Sequence, residues 1–139
     1  MRKNETITHI MSREVESIQE GQKLSEVRQL MAEKSIHHVP IVNGKKLSGI
    51  VSFTDMMKLT LVTHGASEQT IDAIIDQQFS IKGVMTESPI ALKESDNIRH
   101  AAKILSKGDF HSLPVVTESN KLVGIVTSTD LIRYLNDQY

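Results

Sequence analysis

The stretch GIVSFTD, residues 49–55, returns as GIVTSTD at residues 124–130. Each copy is a glycine, two β-branched residues, a hydroxyl residue, two further positions and an aspartate. Setting Met11 on Met85 extends the match outward at an offset of 74 without a gap, as far as Val42 on Val116. It carries Ile10 onto Val84, Ile18 onto Leu92, Leu24 onto Ile98, Met31 onto Leu105, His37 onto His111 and Pro40 onto Pro114. One residue is then inserted in the second copy, and from Leu47 on Leu122 the offset is 75. A repeat of this length means two copies of one supersecondary unit.

Each half reads as the same series of elements. A short extended piece (Glu14–Ile18; Pro89–Leu92) precedes a helix with apolar residues at helical spacing, Leu24, Val27, Leu30 and Met31, then Ile98, Ala101, Ala102 and Leu105. Asp96 suits the N-cap of the second of these helices and Gly108 its stop. Two apolar runs follow, joined through Asn43-Gly44 in the first half and through Thr117–Asn120 in the second. A further helix is expected to begin after each aspartate. The plan is β-α-β-β-α, twice, an α+β chain with mixed sheets. The division is residues 1–63, a connecting stretch 64–80, and residues 81–139. Half of so small a chain buries a poor core, so the copies are expected to pack about a pseudo-twofold axis and share one. In the connection, Ser67 caps a helix burying Ile71, Ile74 and Ile75, with Asp72, Asp76 and Gln77 facing water.

Composition narrows the function. The 139 residues carry a formal net charge of −1 and only three Phe and two Tyr, which offers neither a basic field nor a stacking platform for nucleic acid. Cysteine is absent, excluding disulfides and thiolate chemistry. No run reaches the roughly 18 apolar residues of a membrane helix, and no h-region opens the chain, so a cytoplasmic protein is expected. Adjacent strand residues point to opposite faces, so His37 and His38 cannot chelate one ion, and His9, His64 and His100 lack ligand spacing. No metal is expected. No nucleophile–base–acid set or phosphate-wrapping glycine loop is present, and no enzyme is expected.

The doubled phrase places a loop at a strand's exit and a helix's start, where free N–H groups and the helix dipole receive anions. Ser52 and Thr127 offer hydroxyls there. Asp55 and Asp130 are acceptors suited to the two donors of a ribose diol. The same residues also fit simple helix capping, with Thr54-Asp55 and Thr129-Asp130 as caps. The two roles are compatible if the threonine caps while the aspartate faces a ligand.

HIMS and GVMT, IHHVPIV and FHSLPVV, then GIVSFTD and GIVTSTD, resemble in their order a tandem pair of cystathionine β-synthase (CBS) domains, a Bateman module, over residues 7–62 and 81–136. The resemblance implies two small mixed sheets flanked by helices, a homodimer of modules, and clefts that take adenosine-containing ligands: AMP, ADP, ATP, S-adenosylmethionine or NAD. It implies a regulatory module that needs no cofactor and signals to an effector protein in trans. A ligand-free dimerisation or scaffold module is the alternative. By resemblance one cleft combines Ser52 and Asp55 with Thr86, Pro89, Ile90 and Ser112. The other combines Thr127 and Asp130 with Ser12, Val15, Glu16 and His38. His37 and His111 take the place of a phosphate-reaching basic residue. Glu16 stands where the other cleft has the apolar Ile90, so unequal sites are expected.

Overall fold

The computed structural model describes residues 5–61 and 66–139; His64 and Gly65 lie outside them. The chain divides into two compact units. The first is Glu16–Pro89, and the second joins the stretch up to Val15 with Ile90–Tyr139.

In the first unit β1 (Ile18–Gln19), α1 (Leu24–Lys34), β2 (His38–Asn43), β3 (Lys46–Ser52) and α2 (Phe53–Thr60) follow the expected β-α-β-β-α plan. They continue into α3 (Glu68–Gln78), α4 (Ile81–Val84) and β4 (Thr86–Glu87). The sheet runs β1-β2-β3-β4, with β1 parallel to β2 and the other pairs antiparallel. The second unit repeats the plan in β5 (Leu92–Lys93), α5 (Ile98–Leu105), β6 (Ser112–Val116), β7 (Leu122–Thr127) and α6 (Ser128–Asp137). Its sheet runs β5-β6-β7, and Ser12 bridges to Ile125 where β4 bridges to β3 in the first unit.

The opening segment of each sequence repeat therefore packs in the unit that houses the other repeat's sheet. Ile7 and Ile81, equivalent at the 74-residue offset, are 0% and 1% exposed in the second and first units respectively. The doubled glycine makes room for this arrangement. A Cβ on Gly49 would lie 2.5 Å from Met85 Sδ and 2.8 Å from the Thr86 carbonyl oxygen. On Gly124 it would lie 2.7 Å from Met11 Sδ and 3.0 Å from the Ser12 carbonyl oxygen. Only a hydrogen fits there.

The core is divided rather than shared. One buried cluster, in the first unit, includes Leu24, Val27, Val39, Ile41, Val51 and Ile75. The other, in the second, includes Ile7, Leu92, Ala101, Leu113, Val115 and Val126. A borrowed segment gives each unit the apolar layer that half the chain lacks. The middle strands β2 and β6 run between two neighbours and are buried from Val39 to Val42 and from Leu113 to Val116, as continuous apolar runs require.

Local details differ from the sequence reading in three places. Asn97, not Asp96, caps α5 by accepting from His100 N, while Asp96 Oδ2 accepts from Lys93 N at 2.8 Å. Asn43 pairs with Lys46, so the first hairpin turns through Gly44-Lys45, with Gly44 at φ 65°. Asp72 and Asp76 do not face water alone. Arg28 Nε donates to Asp72 Oδ1 at 2.7 Å, and the amide and hydroxyl of Ser25 donate to Asp76 at 2.9 and 2.6 Å. Ser67 does cap α3, and Ile75 is fully buried against α1's side of the core.

Candidate functional site

The helices start before the aspartates and not after them as expected: Asp55 and Asp130 stand at the third positions of α2 and α6, and each closes a reciprocal capping box. Ser52 Oγ accepts from Asp55 N at 3.0 Å, and Asp55 Oδ2 accepts from Ser52 N at 2.9 Å. Thr127 Oγ1 accepts from Asp130 N at 3.0 Å, and Asp130 Oδ2 accepts from Thr127 N at 2.8 Å. The caps are thus the strand-exit hydroxyls, not Thr54 and Thr129, whose side chains are exposed.

The pool of free amides is smaller than expected. Phe53 N donates to the His37 carbonyl at 2.7 Å and Ser128 N to the His111 carbonyl at 2.8 Å. With the capping amides also engaged, Thr54 and Thr129 carry the first-turn N–H groups left for a ligand among the described residues. The spare capacity lies mainly in side chains. Each cap hydroxyl accepts one bond and keeps its own proton to donate, and each aspartate has a second oxygen outside the cap. For Asp130 that oxygen, Oδ1, lies 3.8 Å from Arg133 Nη1. Asp55 has no cation within ion-pair distance among the described residues.

Register gathers the other candidates around these boxes. His38 pairs with Ser52, and Thr86 pairs with Ile50, two residues before Ser52. Paired and alternate residues share a face of a sheet, so His38, Ile50, Ser52 and Thr86 line one face of the first unit, opposite the buried Val39 and Val51. In the second unit Ser112 pairs with Thr127 and Ser12 with Ile125, giving the matching row. The Ser12–Ile125 bridge is held by two backbone bonds of 2.9 Å.

Val15 and Pro89 are half-buried, while Glu16 and Ile90 are exposed. The two units change over at these residues, between Val15 and Glu16 and between Pro89 and Ile90. The Glu16 carboxylate lies 3.8 Å from Lys34 Nζ, which tempers the repulsion it would otherwise exert on an anion. His37 stacks its ring on Phe53, with centroids 5.4 Å apart and planes inclined by 29°. His111 is exposed, and Ser128 stands where Phe53 does in the first half. A cavity of about 320 Å³ lies behind His37 and Phe53, between α1 and α2, and is lined by Met31, Ile36, Met56 and Met57. It does not include Asp55. No group of three or more potential metal ligands occurs among the described residues, and no helix there is long and apolar enough to cross a membrane.

Each row sets hydroxyl side chains beside a strand-exit carboxylate. The profile of the CBS domain matches the chain twice, over residues 7–61 and 81–137. The chain belongs to the CBS-domain family.

Both CBS matches span the β-α-β-β-α plan together with the opening segment that packs in the other unit. Relatives share the arrangement across most of this chain. MJ1225 of Methanocaldococcus jannaschii is 29% identical over 132 residues, covering 94% of this chain and 47% of that protein. Its crystal structure, described as a putative archaeal homolog of g-AMPK, superimposes with a TM-score of 0.81 at 28% identity, over 97% of this chain and 49% of the other. MJ1426 of the same organism is 31% identical, covering 85% of this chain and 84% of its own. The CBS domain pair of MJ0100, in complex with 5′-methylthioadenosine and S-adenosyl-L-methionine, matches at a TM-score of 0.72 and 27% identity, over 94% of this chain and 98% of that one. The chain spans less than half the length of MJ1225.

Sequence reasoning singled out the aspartates and the strand-exit hydroxyls as candidates, and the structure joins them in the capping boxes. It missed that these hydroxyls are the caps, although a hydroxyl three residues before an acid is the spacing of a capping box. It also missed the methionine-on-glycine contacts, although Met11 and Met85 repeat in step with Gly124 and Gly49.

Proposed function

We propose that the chain is a regulatory module that binds adenosine-containing ligands at the strand exits marked by Ser52–Asp55 and Thr127–Asp130 and signals to a partner protein in trans. The observation that carries this reading is the unspent valence of the capping boxes. Each aspartate uses one oxygen to hold its helix and keeps the other for a ribose diol, and each cap hydroxyl keeps a proton for a phosphate or ribose oxygen. The MJ0100 pair, similar over 94% of this chain, takes two ligands built on adenosine. AMP, ADP, ATP, S-adenosylmethionine and NAD share that moiety. His38 pairs with Ser52, and the His37 and His111 carbonyls accept from Phe53 N and Ser128 N, so these histidines stand beside the strand exits where a ligand's anionic end would lie, and Ile90 and Pro89 supply apolar surface for a purine. Ligand-dependent output requires different affinities for two arrangements of the module, which a homodimer would pass to its partner.

The complete capping boxes favour one alternative, a ligand-free scaffold in which the phrase is doubled for helix starts alone. Asparagine separates the two. Its amide oxygen still accepts from the cap amide, while the second acceptor becomes a donor. Thermal-shift assays with a panel of adenylates are expected to show stabilisation of about 2.7 kcal/mol at 100 times Kd. Asp55→Asn and Asp130→Asn are each expected to weaken binding by about 1.5–3 kcal/mol with little change in ligand-free melting temperature. An absence of any ligand-induced shift, or lower melting temperatures with unchanged affinity, leaves only the scaffold.

A further inference from the structure

We infer that Arg133 gives the Asp130 site a stronger preference than the Asp55 site for ligands carrying an anionic group next to the ribose. The inference rests on the function proposed above and assigns a ligand class to one of its two sites.

The two capping boxes match within 0.1 Å in their hydrogen bonds, so the caps themselves do not distinguish the sites. The distinction begins one turn along each helix. On α6, Arg133 bends back so that Nη1 stands 3.8 Å from Asp130 Oδ1, the oxygen outside the cap. On α2 the equivalent residue is Lys58, which is exposed and pairs with no carboxylate among the described residues. Asp130 is mostly shielded, its side chain 17% exposed, whereas the Arg133 side chain is 69% exposed. A partner this exposed holds its carboxylate weakly and is free to turn. No other ion pair or hydrogen bond engages Arg133 among the described residues.

A guanidinium suits this position for a geometric reason. Its planar fork has five donors, so it can keep one edge on Asp130 while presenting another to two oxygens of a phosphate. The ammonium of a lysine is a single point charge and cannot do both with directed bonds. A ribose hydroxyl bound to Asp130 would thus bring a 5′-phosphate within the reach of a cation already stationed there. At Asp55 the equivalent cation is the exposed Lys58, a point charge without the fork, so a monophosphate gains less there over the neutral nucleoside.

The test compares AMP with adenosine by isothermal titration calorimetry on the full chain, in wild type, Arg133→Ala and Arg133→Lys. For Arg133→Ala, AMP affinity at one of the two sites is expected to fall about five- to tenfold, the range between an exposed ion pair and a charge-assisted hydrogen bond. Adenosine affinity is expected to change less than twofold, and Arg133→Lys to recover part of the loss. Raising salt is expected to narrow the AMP preference of wild type and leave Arg133→Ala nearly unaffected. Equal effects of Arg133→Ala on AMP and adenosine, or no effect on either, overturn the inference while leaving the ligand-binding function standing. Wild type that binds neither compound overturns the inference, and wild type that also binds none of ADP, ATP, S-adenosylmethionine and NAD overturns the function itself. Unchanged melting temperature of the ligand-free variant is the control for folding, because the side chain is exposed.

Discussion

In the first unit the borrowed segment follows an eleven-residue helix, α3, whereas in the second unit the equivalent segment, Ile7–Val15, is held by other contacts. The two are anchored by different means. α3 is tied to α1 by the Arg28–Asp72 pair and by two bonds from Ser25 to Asp76, with Ile75 fully buried beneath. The other segment is tied by Ile7 N to the Asp96 carbonyl at 3.0 Å, by Ile98 N to the Glu5 carbonyl at 2.8 Å, and by the Tyr134 hydroxyl to the Glu5 carboxylate. Beyond these anchors the segments converge on one solution: a buried isoleucine, a methionine against a glycine, and a bridge to the strand that ends in the capping box. The comparison teaches that the duplicated phrase conserves the destination of the segment and not its route.

The largest expected effect breaks the route specific to the first unit. Ile75→Ala removes a side chain with no exposure from α3 and is expected to cost about 2–5 kcal/mol. Hydrogen exchange is the informative readout: amides of α1 and α3 should lose protection before those of α5. Uniform loss over both units would show that their anchors are not independent.

A smaller effect sharpens the shared destination. Gly49→Ala and Gly124→Ala each place a Cβ against a methionine sulfur and a backbone oxygen, an overpacking expected to cost about 1–3 kcal/mol. The methionine can move aside, but the carbonyl belongs to the bridging strand. Gly49→Ala should therefore be the more damaging, since its nearest approaches are 2.5 and 2.8 Å against 2.7 and 3.0 Å for Gly124→Ala. Chemical denaturation of the two variants ranks them, and a reversed order would mean that β4 yields more readily than the Ser12 bridge.

The smallest effect is electrostatic and confined to the first unit. The Glu26 carboxylate accepts from Lys23 N at 2.8 Å and from Gln22 Nε2 at 3.2 Å, and these bonds hold its pKa below the ordinary value, the backbone bond contributing most. A depressed acid stabilises the fold above its unfolded pKa and loses that contribution as pH falls through the depressed value. A slight loss of stability below about pH 4.5 is expected, reduced in Glu26→Gln, which still accepts at the cap. Identical acid limbs for both proteins in a pH-resolved denaturation series would remove Glu26 from the account.

Most of the fold could be read from the repeat itself, because strand and helix periodicities agree between two copies and each checks the other. The aspartates were legible for the same reason. Two features were not. The ties of α3 join Ser25 and Arg28 to residues 51 and 44 positions away, and nothing local marks an aspartate on a polar face as a partner rather than a solvated charge. The exchange of opening segments is invisible to periodicity, since a repeat aligned with its twin fits either sheet equally well. The pairing of β4 with β3 and of Ser12 with Ile125, and the closeness of Met85 to Gly49 and of Met11 to Gly124, settle where each segment goes. In place of the one shared core expected, the chain has two buried clusters, one in each unit.

The exchange has a consequence for dissection of the molecule. Severing the chain midway, at the boundary suggested by its duplication, would yield two fragments, each bearing the other's missing edge. The continuous compact unit is instead the uninterrupted span from Glu16 to Pro89, which begins and ends inside different copies of the repeat.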